Sequence, residues 1–118
     1  MFSYIAPISI ENLLAEAEQE NLYQKLIEQI NKDFTLANES IDILESTSTH
    51  DLKLLLHEKI YRLIQHKFAE YLNLLYIVDV SESEIKKLDG SDISELSGQV
   101  SFLILKREWQ KVWFRNKL

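Results

Sequence analysis

The chain has 118 residues and a formal net charge of -6, with 13 Lys and Arg against 19 Asp and Glu. Its length fits one domain, and its 46% hydrophobic and 27% charged residues are typical of a globular protein rather than a disordered one. Two glycines, one proline and no cysteine disfavour hairpin-rich folds, glycine-rich phosphate loops, disulfide frameworks and cysteine metal sites. We therefore predict a single all-α domain over residues 1–118.

The first helical pattern begins after Ser9, a favourable N-cap residue. Over residues 23–44 the apolar positions recur at alternating steps of three and four, the spacing of a helix that packs along a narrow seam. As one rod, residues 10–46 would measure about 55 Å, at about 1.5 Å per residue. Since this is long for so small a protein, we expect a bend near residues 20–21 or 31–33.

A second helical pattern follows a polar link, with Ser48 as its N-cap. One broad apolar face, which includes Phe68 and Leu72 and is predicted to face the core, continues to Val78. Short connections make neighbouring helices antiparallel. The first two helices are therefore predicted to form a long helical hairpin.

A short third helix is predicted from about residue 82 to 88. Ser81 and Glu84 have the spacing of a capping box at its start, and Gly90 is suited to a left-handed residue after its end.

The last helix is predicted to open at Asp92, with Glu95 completing a capping box, and to run toward Asn116. A strand over residues 100–105 is the competing interpretation, but no other segment could pair with it. At 100° per residue the helix has two separate apolar stripes. The second stripe either lies in the core, with this helix at the centre, or binds a partner. We take it as the candidate partner interface, formed by Phe102, Leu105, Trp109, Val112 and Trp113.

Two positions in the predicted helices each allow more than one structural interpretation. Gly98 lies among small serines, which favours a close helix crossing over a small pocket or a subunit contact. Lys67 falls on an apolar face, where it either reaches solvent at the helix edge or pairs with an acid of the first helix or with Asp79.

No catalytic or ligand signature emerges from the sequence. The three histidines, at positions 50, 57 and 66, are seven and nine residues apart, whereas helical metal ligands need spacings of three or four. A nucleophile elbow of the G-x-S-x-G type is absent. We therefore expect no enzyme activity, no metal and no cofactor. A small-ligand site around His57, Lys67 and Tyr71 is kept as a third class of function.

Charge is distributed unevenly along the chain. Residues 1–51 hold ten acids and two bases, whereas residues 106–118 hold five bases and one acid. Bases near a helix C-terminus favour the helix dipole, and the acidic total repels phosphate backbones, so nucleic-acid binding is not expected. The acidic half suggests an alternative function, an inhibitor or immunity-type protein that covers a basic partner.

The segment Leu74-Leu75-Tyr76-Ile77-Val78-Asp79-Val80-Ser81-Glu82, with Leu103-Ile104-Leu105-Lys106-Arg107-Glu108-Trp109-Gln110-Lys111 and Arg115, resembles small uncharacterised helical proteins of the Bacteroidetes bacteria. In those proteins an arginine and an isoleucine stand where this chain has Ile77 and Val78, so a role of that arginine does not transfer. The resemblance implies an all-helical bacterial protein and no particular chemistry.

The sequence thus predicts an elongated antiparallel helical bundle: a long hairpin, a short third helix and a C-terminal helix. Apolar runs are too short to cross a membrane, and a cytoplasmic location fits the composition. The expected function is a protein interaction or scaffold module that self-associates into a homo-oligomer.

Overall fold

Every regular element in the computed structural model, which describes residues 3–117, is an α-helix. The all-α prediction is therefore confirmed, and residues 100–105 are helical. In chain order the helices are α1 Ile10–Gln19, α2 Tyr23–Leu36, α3 Thr49–His66, α4 Phe68–Val78, α5 Glu82–Lys86 and α6 Ile93–Lys117.

Three of the four predicted N-cap side-chain bonds form. The Ser9 and Ser48 hydroxyls accept hydrogen bonds from the third residue beyond them, and the Asp92 carboxylate accepts one from Glu95 N, at 3.0 to 3.1 Å. Ser81 is the N-cap residue of α5 as predicted, but its hydroxyl lies 2.9 Å from that of Ser83 and makes no cap bond, so the predicted capping box is wrong.

Asparagine or aspartate, rather than glycine, follows the ends of α1, α2 and α4. Asn21, Asn38 and Asp79 have positive φ values of 59°, 58° and 72°, and each is followed by a residue whose N–H bonds back to the carbonyl five positions earlier. This pairing satisfies the last helical carbonyls, as in a Schellman motif. The bend predicted at residues 20–21 is confirmed, whereas Gly90 lacks the positive φ predicted for it.

The helix predicted over residues 37–46 is wrong, because α2 ends at Leu36 and an irregular segment follows. This segment is fastened to α2 by side chains. The Asn31 amide accepts a bond from Ile43 N at 2.8 Å and donates one to Ile43 O at 2.9 Å, while the Tyr23 hydroxyl donates to Thr47 O at 2.7 Å.

The predicted second helix is divided at Lys67, whose φ of -143° and ψ of 60° lie outside the helical range. The two halves become α3 and α4. The break changes which side chains face inward, since Phe68 and Leu72, predicted to lie in the core, are half exposed.

Helix α6 is the centre of the fold. It packs against α1, α2, α3 and α4, most extensively against α3. The radius of gyration is 13.6 Å, close to the roughly 13.5 Å expected for a compact domain of this length. The structure is therefore a compact bundle around α6, and the elongated hairpin that we predicted is not what it shows.

Candidate functional site

The stripe predicted as a partner interface lies inside the chain. Leu105, Trp109, Val112 and Trp113 are buried, with Trp109 at 0% exposure. Only Phe102 is partly accessible, and Lys106 Nζ lies 5.0 Å from the centre of its ring. The prediction of these residues as an exposed interface is corrected to a core role for Leu105, Trp109, Val112 and Trp113, because neighbouring helices cover this stripe of α6 beyond Phe102.

Helix α3 approaches the start of α6 closely. Ser97 and Ser101 are buried and bond to carbonyls one turn earlier. A Cβ at Gly98 would lie 3.8 Å from His57 Cε1, an ordinary contact distance. The predicted helix crossing is therefore present, but Gly98 itself leaves room for a methyl group.

A pair of carboxyl groups is buried between α2 and α6. Glu108 is 0% exposed and Asp33 is 5% exposed. One lysine serves both, with Lys111 Nζ lying 2.7 Å from Asp33 Oδ2 and 3.4 Å from Glu108 Oε1. Neither oxygen of Glu108 makes a hydrogen bond with any residue that the structure describes.

In this arrangement the two carboxyl groups have different pKa values and therefore different protonation states. Burial, and then the neighbouring Asp33, raise the pKa of Glu108 to about 9, which Lys111 only partly opposes. Burial would also raise the pKa of Asp33, but the adjoining Glu108 carboxyl, Lys111 and Gln29 outweigh it and leave that pKa lowered. At neutral pH the pair holds one proton, on Glu108, and one negative charge, on Asp33.

Sequence reasoning missed this pair, although a signal for it was present. Glu108 lies between Ile104 and Val112 at four-residue spacing, so it interrupts an apolar stripe. An acid at such a position is either buried with the rest of the stripe or marks a place where the stripe is exposed to solvent. Its partner Asp33 on α2 could not be found, because pairing α2 with α6 requires the tertiary fold.

The buried pair continues to the surface through Gln29. Its amide nitrogen donates to Asp33 Oδ2 at 3.2 Å, and its oxygen accepts from Arg115 at 3.0 Å. Arg115 opens onto a groove of about 180 Å³ between α2 and α6, which Lys25 and Lys32 also line.

A row of exposed apolar side chains lies on α4. Phe68, Leu72 and Tyr76 follow one another at four-residue spacing and are 55%, 50% and 81% exposed. We refer to Phe68, Leu72 and Tyr76 as the α4 ridge. Beside the α4 ridge is a groove of about 630 Å³ toward α5, lined among others by Leu75 and Ile85.

The ligand site considered around His57, Lys67 and Tyr71 is not assembled. His57 donates to the carbonyl of Ser94 at 2.9 Å, while Lys67 is about half exposed and pairs with Glu39 at 2.8 Å. Lys67 thus reaches solvent at the helix edge as predicted, and it also pairs with an acid of the segment predicted as the first helix, although Glu39 lies in the irregular part that follows α2. Tyr71 is buried, which raises the pKa of its hydroxyl.

Comparisons with protein-family models, curated proteins and solved structures find no match to this chain. Within residues 3–117, no helix combines the length and hydropathy needed to cross a bilayer. The same residues contain no group of three or more His, Asp or Glu side chains placed to hold a metal ion.

Proposed function

We propose that this chain is a protein interaction module that self-associates through the α4 ridge. The observation that supports it is the exposure of Phe68, Leu72 and Tyr76 along one face of a helix. Large apolar side chains in a row, two of them aromatic, are costly to leave in water and are typical of interface cores.

The chemistry of the α4 face fits an apolar contact. Glu70 is the single charged residue of α4, and it lies about 160° around the helix from Leu72, at about 100° per residue. Charged residues are depleted at the centre of interfaces, because burying them requires an exact partner. A face without charge is therefore suited to burial against another apolar face.

The spacing of the ridge favours a second copy of this chain as the occupant. Phe68 and Tyr76 are each four residues from Leu72, so two antiparallel α4 helices would place Leu72 against Leu72 and Phe68 against Tyr76. A two-fold interface must be complementary to itself in this manner. The groove toward α5, whose apolar residues Leu75 and Ile85 lie beside the charged Asp79, Glu82 and Lys86, would receive the aromatic ends of the opposite ridge.

Net charge sets the expected strength of this association. Each copy carries a net charge of -6, so two copies repel one another outside the contact. Added salt screens that repulsion, whereas it would weaken a complex held by opposite charges. Self-association through the α4 ridge should therefore strengthen as salt is added.

Single-cysteine variants can test the proposed geometry, because the chain has no cysteine of its own. In an antiparallel pair, Leu72→Cys should form an intermolecular disulfide under mild oxidation. Phe68→Cys should not, since the two copies of residue 68 would lie about 12 Å apart along the helix axis, at about 1.5 Å per residue. The measurement is the yield of covalent dimer on non-reducing gels, followed by light scattering across salt concentrations.

Leu44→Cys is the matched control, because Leu44 is also an exposed leucine, at 69%, but lies outside α4. Equal crosslinking of Leu44→Cys and Leu72→Cys would mean random collision and would refute the α4 contact. Leu72→Asp should give a monomer in light scattering. The monomer should stay folded, because Leu72 is half exposed.

The alternative of an acidic protein that covers a basic partner gains no specific support. Of the ten acids in residues 1–51, Glu11, Glu20, Asp33 and Glu39 pair with lysines of this same chain. The cytoplasmic location, the bacterial origin and the lack of enzyme activity stay predictions.

A further inference from the structure

We propose that the groove between α2 and α6 binds a small phosphate-bearing ligand. Three cationic side chains line it, Lys25, Lys32 and Arg115. No carboxylate of the described residues lies within 4.0 Å of any of them, whereas eight other Lys and Arg residues each form an ion pair. The groove thus gathers uncompensated positive charge in a chain that is acidic overall.

Helix stability does not account for this cluster. Arg115 lies near the C-terminus of α6, where a cation is favoured by the helix dipole. Lys25, however, is the third residue of α2, where the dipole disfavours positive charge, and that first turn contains no acid. Lys25 therefore lies where stability alone would select the opposite charge.

The guanidinium of Arg115 is held in place by the buried network behind it. Its Nη1 donates to Gln29 Oε1 at 3.0 Å, and Gln29 is itself buried and bonded to Asp33. The other guanidinium N–H groups have no partner in the described residues and remain for a ligand. A planar donor fixed from behind is suited to bidentate binding of a phosphate.

The volume and net charge of the groove limit which ligands it can bind. About 180 Å³ is smaller than the roughly 300 to 1,000 Å³ of drug-sized sites, so the groove fits a phosphate group with a small substituent. Glu28 also lines it, which leaves an excess of two positive charges. A doubly charged phosphate matches that excess better than a monoanionic carboxylate does.

The probe for the test is inorganic phosphate, titrated at constant ionic strength and followed by amide chemical shifts and calorimetry. Saturable binding with shifts confined to α2 and the end of α6 is expected. Arg115→Gln and Lys32→Gln should each weaken the affinity about fivefold or more, and Glu28→Gln should strengthen it. These side chains are exposed, so the fold should be retained, which circular dichroism would verify.

Lys87→Gln is the matched control, because Lys87 is exposed and has no ion pair but lies outside the groove. Phenyl phosphate and acetate complete the comparison. Tighter binding of phenyl phosphate would identify a phosphate ester as the ligand class, and equal binding would identify phosphate itself. Acetate binding as tight as phosphate, equal weakening by Lys87→Gln, or no saturation would overturn the proposal. The groove shares no residue with the α4 ridge, so failure here leaves self-association untouched.

Discussion

At the scale of single residues, Glu108 makes the stability of this chain depend on pH. Its carboxyl is fully buried without a hydrogen bond to any described residue, and Asp33 competes with it for Lys111. Ionising Glu108 would place two negative charges beside one lysine in a site that is largely closed to water. The folded chain therefore favours the protonated form of Glu108.

This predicts that the chain becomes less stable as pH rises from 4.5 to about 9. Glu108 has a folded pKa of about 9 against an ordinary value of 4.5. Between these values the folded state holds a proton that the unfolded state has lost, so the unfolding free energy falls by up to about 1.4 kcal/mol per pH unit. The lowered pKa of Asp33 acts in the opposite direction, below its ordinary value of 3.8. Urea denaturation at a series of pH values measures both effects.

Glu108→Gln should remove this dependence, because an amide stays neutral and can donate to Asp33. We expect its unfolding free energy at pH 8 to exceed that of the unchanged chain by on the order of 4 kcal/mol, with little difference at pH 4.5. Glu58→Gln, at an exposed position on α3, should leave the pH dependence as it was. A Glu108→Gln variant that is less stable at pH 8 would show that Glu108 is charged when buried.

At the scale of helices, composition predicted the type of element better than its ends. The scarcity of glycine and proline correctly indicated helices, and the caps at Ser9, Ser48 and Asp92 gave three correct starts. The same scarcity misled us about where helices stop. Asn38 adopts the left-handed conformation that glycine usually provides, since its short polar side chain tolerates positive φ.

The candidate sites show the same limit on sequence reasoning. Periodicity placed Phe68 and Leu72 on the core face of one continuous helix. The break at Lys67 changes which residues of α4 face the core, so these two side chains are exposed. Nothing local marks the break, since Lys67 is a good helix former. The α4 ridge and the Asp33–Glu108 pair both depend on how helices dock, which sequence periodicity does not specify.

Replacing Gly98 with alanine should stabilise α6. Glycine in a helix interior costs about 1 kcal/mol relative to alanine, and the added Cβ would lie 3.8 Å from His57 Cε1. Space therefore exists for the methyl group, and Gly98→Ala should raise the unfolding free energy by about 0.5 to 1 kcal/mol. Thermal denaturation followed by circular dichroism measures the change.

Gly90→Ala provides the comparison, because Gly90 lies outside the helices and its Cβ would also meet a side chain at 3.8 Å. Both changes lower the conformational entropy of the unfolded chain, but only Gly98→Ala also raises the helix propensity of a helical position. The expected order of stability is Gly98→Ala above Gly90→Ala. A loss of stability in Gly98→Ala would mean that His57 cannot tolerate the methyl group and that close helix contact does require glycine.

At the scale of the whole molecule, one central helix explains both the compact shape and the burial of both tryptophans. Four helices surround α6, so the stripe that we predicted as an interface has no solvent-facing side over most of its length. Self-association must then use a surface other than this stripe. The exposed apolar residues of α4 meet that requirement, because they lie on the outside of the bundle.

Trp109 separates the core and interface interpretations for the molecule as a whole. It is fully buried within one chain, so Trp109→Ala should lower the unfolding free energy by about 3 to 5 kcal/mol, out of a total of about 5 to 15 kcal/mol for a domain. Trp109→Phe should cost much less, since the indole Nε1 has no hydrogen-bond partner among residues 3–117 to lose. Urea denaturation gives these values, and disulfide crosslinking through Leu72→Cys in the same background reports on association.

A core role predicts that Trp109→Phe keeps both the fold and the crosslinking of Leu72→Cys, while Trp109→Ala loses stability whether or not the chain associates. An interface role predicts the reverse: Trp109→Ala would dissociate the assembly and leave the helicity and the unfolding free energy of the monomer unchanged. Because the two variants remove different volumes from the same position, a graded loss of stability with volume would identify packing within α6 and its neighbours as the cause.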